Sequence, residues 1–107
     1  MEEKKKLVYI AHPIAGNVHV NLNKIQNIYA EITDKYPDVV PFAPYWITFH
    51  ALDDSNAGDR KIGMEQNKYF FDNRIIDEVW VYGGISEGVK REIEWASENV
   101  IKVVFKF

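Results

Sequence analysis

The sequence contains no cysteine and only three histidines, and these shortages exclude several kinds of site. Without cysteine the chain forms no disulfide, carries out no thiol catalysis and offers none of the usual cysteine-based zinc sites. The histidines are not in a paired spacing, so neither a metal nor a cofactor is predicted. The chain also lacks a P-loop and a G-x-G-x-x-G pattern, so ATP or dinucleotide binding by those routes is unsupported.

The chain also lacks an excess of basic over acidic residues, and it lacks long apolar runs. The 107 residues carry a formal net charge of −3, which argues against binding to a nucleic-acid polymer. No apolar run reaches the length of a membrane span, and the polar start at residues 1–6 has no apolar segment typical of a signal peptide. We therefore expect a cytoplasmic protein with no membrane partner, folded as one domain over residues 1–107.

Apolar segments that resemble strands alternate with helical patterns along the chain. Strands are predicted over residues 7–11, 39–42, 79–82 and 101–105, and helices over about 18–36, 59–73 and 85–96, with a short helix or structured loop over 44–52. Near-continuous apolar strands separated by helices indicate a parallel sheet covered on both faces. The predicted fold class is therefore α/β, a small flavodoxin-like or Rossmann-like three-layer sandwich with a mostly parallel four-stranded sheet.

Glu92 is a carboxylate placed where the last predicted helix should be apolar. On a helical wheel Ile85, Val89, Ile93 and Ala96 form one stripe, and Glu92 falls within about 20° of Ile85. Unpaired glutamate is seldom buried, so the position suggests a functional carboxylate. The alternatives are a side chain that reaches solvent at the edge of the stripe and one paired with a buried arginine, Arg74 or Arg91.

The segments that follow the strands should share a crevice, because parallel strands deliver their carboxyl ends to one side of a sheet. The segments after the first and third strands are expected to bring Tyr9, His12, Ser86 and Glu92 together. Ser86 is an N-cap candidate, and with Gly88 and the first N–H groups of the helix it also suits a phosphate.

Other polar residues have ordinary structural explanations beside their functional ones. His12 and His50 are possible acid–base groups, although a lone histidine more often packs or donates a hydrogen bond. Asp53 and Asp54 are expected to form a solvated turn. For Arg60 the sequence slightly favours an ion pair with Asp59 or Glu65 over an anion.

Two motifs stand in order along the chain. The first is Tyr9-Ile10-Ala11-His12-Pro13-Ile14, and the second is Ser86-x-Gly88-x-x-x-Glu92-Ile93-x-x-Ala96. They resemble the opening motif and the second signature of the nucleoside 2-deoxyribosyltransferase and 2′-deoxynucleoside 5′-phosphate N-hydrolase superfamily. The resemblance covers nearly the whole chain in the right order and is nearest to the small phage and bacterial members of uncharacterised activity.

The resemblance implies a role for each matching position. Glu92 resembles the nucleophile that attacks the sugar C1′, and Tyr9 resembles the tyrosine that orients it. His12, Pro13, Ile14, Asp54, Asn67, Ser86 and Gly88 are the implied substrate-binding residues. A serine at position 86 is typical of the hydrolases that bind a 5′-phosphate, whereas the transferases that act on free nucleosides tend to have aspartate there.

Two positions depart from the pattern of the family. His12 stands in place of a small glycine. In the helix before the third strand the family's enzymes place an aspartate after a glutamine to assist the departing base, whereas this chain offers Asn67 or Lys68. An asparagine cannot donate a proton as an acid does, so Asp53, Asp54 or His12 would have to substitute.

The resemblance thus implies an N-glycosidase of nucleoside 5′-monophosphates that forms a covalent glycosyl–glutamate intermediate, with hydrolysis or base transfer as the outcome. A nucleotide-binding module without turnover is the alternative, and a structural or partner-binding domain is a third. The resemblance also implies a homodimer or a higher homo-oligomer.

Overall fold

The computed structural model describes residues 4–107, over which four strands and four helices alternate. In chain order they are β1 (Lys6–Ala11), α1 (Val18–Lys35), β2 (Val39–Phe42), α2 (Tyr45–Ala51), α3 (Ala57–Asp72), β3 (Glu78–Val81), α4 (Glu87–Glu98) and β4 (Lys102–Phe105). None of the helices in this part of the chain is long and apolar enough to cross a membrane.

The four strands form one parallel sheet in the order β2-β1-β3-β4. The two central strands are the most deeply buried: Val8 to Ala11 of β1 and Val79 and Val81 of β3 have no solvent exposure. Strands buried on both faces have no polar side to show, which is why their sequences are continuously apolar rather than alternating. The predicted α/β fold with a parallel four-stranded sheet is confirmed.

The helices cover the two faces of the sheet, and aromatic contacts mark the two layers. On one face Tyr36, at the end of α1, packs on Trp80 of β3 with ring centroids 5.1 Å apart. On the other face Tyr9 of β1 packs on Phe71 of α3 at 4.9 Å, and Phe71 packs on Trp95 of α4 at 5.4 Å. Tyr9 therefore points into the layer that contains α3 and α4.

Helix α4 begins later than the wheel drawn from the sequence assumes. Ser86 is its N-cap, so Ile85 lies outside the helix and is 56% exposed. The buried face of α4 consists instead of Val89, Trp95 and Ala96, and Glu92 lies between them on the wheel. The inclusion of Ile85 in the stripe was wrong, because a serine N-cap sets the start of this helix.

Candidate functional site

A cavity of about 590 Å³ opens above the carboxyl ends of the central strands. Its walls come from the segment after β1, from α2, α3 and the loop between them, and from the first turns of α4. Because β1 and β3 are neighbours in the sheet, the segments that follow them meet here. A cavity of several hundred Å³ is typical of sites that hold a small molecule.

Glu92 projects into this cavity from α4 and is held by two side chains from other elements. The Tyr9 hydroxyl, on β1 beneath it, donates a hydrogen bond to Glu92 Oε2. Asn67 Nδ2, on α3, donates to the Tyr9 oxygen at 2.7 Å and to Glu92 Oε2 at 3.3 Å. One carboxylate oxygen therefore receives both donors, and no hydrogen-bond donor among residues 4–107 reaches Oε1.

The surroundings of Glu92 change its acidity. Burial raises the pKa of the Glu92 carboxyl to about 7, although the hydrogen bonds from Tyr9 and Asn67 and the charge of Arg91 act to lower it. Burial also raises the pKa of Tyr9 well above its usual range, an effect strengthened by the Glu92 charge. The phenol thus stays protonated and remains a donor while Glu92 changes between its two forms.

The ion pair considered for Glu92 is absent. No salt bridge joins Glu92 to Arg74, Arg91 or any other cation within the described part of the chain. Its partners are an uncharged phenol and an uncharged amide, so the carboxylate keeps its charge available for a ligand. Perturbed carboxyl groups of this kind in a cleft are candidates for catalytic residues.

Asn67 has one atom that remains unsatisfied. Its Oδ1 is the only buried side-chain nitrogen or oxygen within residues 4–107 that has no hydrogen-bond partner. Glu92 Oε1 also has no partner, and because it is not among the buried unpartnered atoms it must be open to the cavity. The carboxylate is thus oriented by one oxygen and exposed through the other.

The start of α4 forms one wall of the cavity. Ser86 Oγ caps the helix by accepting the Val89 N–H at 3.3 Å. The first N–H groups of a helix have no intrahelical acceptor, and Glu87 and Gly88, which carry two of them here, both line the cavity. Such a helix start attracts an anion.

His12 lies at the base of the cavity, directly after β1, and is only 7% exposed. Its Nδ1 is 2.6 Å from the Pro13 carbonyl oxygen. On the other side Gly83 adopts a φ of +75°, and a methyl group at that position would lie 2.6 Å from His12 Nε2. A histidine therefore fits at position 12 because position 83 is glycine.

Most of the predicted binding residues line the cavity. They are His12, Ile14, Asp54, Asn67, Ser86 and Gly88. Pro13 is not among the lining residues, and its contribution is the carbonyl group that holds His12.

Three other polar candidates lie elsewhere. Lys68 pairs with Asp72 at 2.7 Å on the outside of α3, so Asn67 is the residue of that helix that reaches the site. His50 stacks on Trp46 with centroids 4.1 Å apart, and Asp53 accepts hydrogen bonds from Ser55 as expected of a turn.

Several lining residues escaped sequence reasoning. Arg60 forms no ion pair with Asp59 or Glu65 in the described structure and lines the cavity instead, so the preference for a pair was wrong. Glu65 is paired with Lys61, the neighbour four residues earlier. Tyr45 is also a wall residue, and its hydroxyl donates to the Ile10 carbonyl at 2.5 Å. The remaining apolar wall comes from Phe49, Leu52, Met64 and Trp95.

The walls thus differ in character: a carboxylate and a histidine at the base, a helix start on one side and apolar side chains on another. Within residues 4–107 no group of three or more histidine or acidic side chains is arranged to hold a metal ion. No curated protein matches the chain. A family model described as "Domain of unknown function (DUF7768)" matches residues 6–106. Because the match covers nearly the whole sequence, the chain belongs to this DUF7768 family.

Proposed function

We propose that this protein is an N-glycosidase that acts on nucleoside 5′-monophosphates through a covalent glycosyl–glutamate intermediate. The observation that carries the proposal is Glu92, which is oriented through one oxygen by Tyr9 and Asn67 and open to the cavity through the other. The motif resemblance to the deoxyribosyltransferase superfamily supports the same role for Glu92 and Tyr9.

The chemistry begins with the ionised form of Glu92. Oε1 attacks the anomeric carbon C1′ while the bond from C1′ to the base nitrogen breaks, and the electron pair of that bond leaves with the base. Water then attacks C1′ of the glycosyl ester and releases the sugar phosphate; a second base in place of water would make the reaction a transfer. Tyr9 and Asn67 hold Oε2 throughout, so the reacting oxygen is positioned before the substrate arrives.

The remaining walls suit the other parts of a nucleotide. The 5′-phosphate would be bound at the start of α4, by the Ser86 hydroxyl and the free N–H groups there, including that of Gly88. Arg60, on the α3 side of the cavity, would add a positive charge. Phe49, Met64 and Trp95 offer apolar surface for a base. The Glu92 carboxylate lies further along the same helix, in its second turn, so the sugar would lie between phosphate and base.

A second candidate function is nucleotide binding without turnover. The observation that favours it is Asn67, an uncharged amide at the position where the superfamily has an acid. An amide holds a ligand by hydrogen bonds but does not protonate a departing base. On this view the site sequesters a nucleotide, and Glu92 only contacts it.

One experiment separates the two candidates. Purified protein is incubated with a panel of nucleosides and nucleoside monophosphates, and free base is measured by chromatography for the wild type and Glu92→Gln. We expect base release from a monophosphate that Glu92→Gln abolishes, because an amide is not a nucleophile. Glu94→Gln, an exposed change on the same helix, should retain the activity.

Two results would contradict the glycosidase. Release that persists in Glu92→Gln would exclude the covalent mechanism. No release from any compound, together with a ligand-dependent rise in melting temperature that Glu92→Gln retains, would instead support the binding module.

We further propose that the protein works in the cytoplasm as a homodimer or a higher homo-oligomer. A second cavity has a volume of about 490 Å³, and we term it the α2–α3 groove. Its lining residues include Pro44, Ile47, Tyr69 and Phe70. Ile47 and Tyr69 are 63% and 57% exposed. The groove shares Tyr45, Thr48 and Asn67 with the main cavity, so a second copy seated there would touch the walls of the site.

A further inference from the structure

The proposed reaction leaves one role unfilled, which is the delivery of a proton to the departing base. A nitrogen base is a poor leaving group as an anion, so a positioned acid commonly accelerates such a step by about 10²–10⁴-fold. Asn67 does not supply this proton because an amide is not an acid at neutral pH. The donor must therefore be another group on the cavity wall.

The hydrogen-bond pattern fixes the tautomer of His12. Its Nδ1 is 2.6 Å from the Pro13 carbonyl oxygen, which only accepts hydrogen bonds, so Nδ1 carries a hydrogen. In the neutral ring Nε2 is consequently the nitrogen without a hydrogen. A backbone carbonyl that holds Nδ1–H also fixes the orientation of the ring.

Nε2 of His12 is free to meet a ligand. It has no hydrogen-bond partner within the described structure, yet it is not among the buried unpartnered atoms there, so it is accessible although the residue as a whole is only 7% exposed. It lies beside Gly83, which carries no side chain to cover it. His12 itself lines the same cavity as Glu92.

The other candidate acids are less well placed. Asp53 is taken up by hydrogen bonds from Ser55 and does not line the cavity. Asp54 lines the cavity but is exposed, so no contact fixes its orientation. Asp59 accepts the Asp53 N–H at 3.0 Å. His12 is the only one of the four that is buried and held by the backbone.

We infer that His12 is the general acid–base catalyst of the proposed glycosidase and acts through Nε2. The inference rests on the proposed function of Glu92. It goes further because a histidine at this position departs from the superfamily pattern, in which a small glycine occupies it.

The proton balance of the two steps is as follows. In the first step Nε2–H of the doubly protonated ring donates to a base nitrogen or oxygen as the bond from C1′ to the base breaks and the bond from C1′ to Glu92 forms. The base leaves neutral and the ring becomes neutral. In the second step Nε2 takes a proton from the attacking water, the ester bond to Glu92 breaks, and the carboxylate and the doubly protonated ring are restored. Nδ1–H donates its hydrogen bond to the Pro13 carbonyl oxygen in both steps.

The test compares two leaving groups. One is the base of the nucleoside monophosphate that the wild type cleaves fastest, and the other is 4-nitrophenolate on the same sugar phosphate, which departs without a proton. In His12→Gln we expect the rate of leaving-group release in the first turnover, which reports the first step alone, to fall by roughly 100-fold or more for the natural substrate and to change little for the nitrophenyl substrate. An equal loss for both substrates would overturn the assignment, because a structural or binding role does not distinguish leaving groups.

A second pair of variants does not alter His12 itself. Gly83 and Gly84 both have positive φ, +75° and +118°, so an alanine at either position strains the backbone. Only at Gly83 does the added methyl meet the His12 ring, since nothing lies within 4 Å of the corresponding position at Gly84. Gly83→Ala should therefore slow the release of the leaving group in the first turnover more for the natural substrate than for the nitrophenyl substrate. Gly84→Ala should preserve the ratio, and identical behaviour of the two variants would contradict the inference.

The same assays distinguish failure of this inference from failure of the proposed function. If the wild type releases neither base nor nitrophenolate in a manner that depends on Glu92, the glycosidase proposal itself fails. If both products appear and depend on Glu92, but His12→Gln leaves their ratio unchanged, the glycosidase stands and only the role of His12 is lost.

Discussion

At the scale of single residues, the arrangement around Glu92 costs the protein stability. The pKa of the Glu92 carboxyl is about 7 in the folded chain, whereas in the unfolded chain it is near the ordinary value of glutamate. The carboxyl group is therefore harder to ionise when the chain is folded. The unfolded chain loses the proton first as the pH rises, so folding becomes less favourable between the ordinary pKa of glutamate and about pH 7. Above that range the cost is fully present.

The replacement Glu92→Gln should therefore stabilise the protein at alkaline but not at acidic pH. At pH 5 the folded carboxyl is protonated and resembles the amide, so the free energies of unfolding should be similar. At pH 8 we expect the variant to be more stable by roughly 1 to 3 kcal/mol, because it has no charge to bury. Denaturant unfolding at both pH values measures the difference.

The control is Glu94→Gln, an exposed change on the same helix, which should alter stability little at either pH. If Glu92→Gln were equally destabilising at pH 5 and pH 8, the carboxyl group would not be the source of the cost. If the variant is instead more stable at pH 8 alone, the loss of base release in the same variant shows that the Glu92 carboxylate lowers stability where activity requires it.

Single residues divide into those that the sequence could predict and those that it could not. Glu92 stood out because a carboxylate interrupted an apolar face, and the Tyr9 motif pointed to the same place. Arg60 gave no such signal, because an arginine near acidic residues on a helix is typical of an ordinary surface. Its place in the cavity depends on how α3 packs in the tertiary structure, which the local sequence does not reveal.

At the scale of the elements, the caps decide where the helices start and which backbone groups face the cavity. Ser86 caps α4, and Asn56 caps α3 by accepting the N–H groups of Gly58 and Asp59. Both caps satisfy backbone donors that the helix itself leaves unpaired. Ser86 lines the cavity and Asn56 does not, so Asn56 provides a control for a cap outside the site.

Replacing either cap by alanine should cost about 1 kcal/mol of stability, because each removes an acceptor from a helix start. Ser86→Ala should in addition weaken the binding of a nucleoside monophosphate, measured by calorimetry. Asn56→Ala should leave that affinity unchanged. Equal affinities in the two variants would remove Ser86 from the phosphate site.

The elements were predicted well where periodicity is strong and less well at their ends. The limits of α1 differ by a single residue from the pattern of apolar positions, since the helix is long and one face packs on the sheet. In α4 the error concerned Ile85, because a helical wheel drawn from the sequence does not show at which residue the N-cap starts the helix. Position 85 is exposed as a consequence.

At the scale of the whole molecule, the order of the strands creates the site. The sequence predicted a mostly parallel four-stranded sheet and expected the segments after the first and third strands to meet, but it did not give the full order of the strands, because all four are apolar and short. The order β2-β1-β3-β4 makes β1 and β3 neighbours, which brings the segments after them together over the sheet. β4 lies at an edge of the sheet and is accordingly more exposed: Phe105 is 52% exposed, whereas Val79 and Val81 of β3 are fully buried.

The proposed oligomer has a test of its own in the α2–α3 groove. We expect the wild type to behave as a dimer or a larger assembly in light scattering, and Ile47→Asp to shift it to monomer because a charge would replace an exposed apolar contact. Val100, 88% exposed at the end of α4, gives the matched control Val100→Asp, which should leave the assembly intact. A wild type that is monomeric, or an assembly broken only at Val100, would contradict the use of the groove.

The close approach of Gly83 to His12 also restricts the order in which this sequence can change. A side chain at position 83 is tolerated only after position 12 has become small, whereas position 12 can shrink at any time. The order of the two substitutions therefore matters. Once position 12 has lost histidine and residue 83 has acquired a side chain, that side chain would clash with a histidine restored at position 12. Within the family, sequences with histidine at position 12 should accordingly have glycine at position 83. A small residue at position 12 removes the clash with the ring, and only the positive φ of residue 83 then favours glycine there.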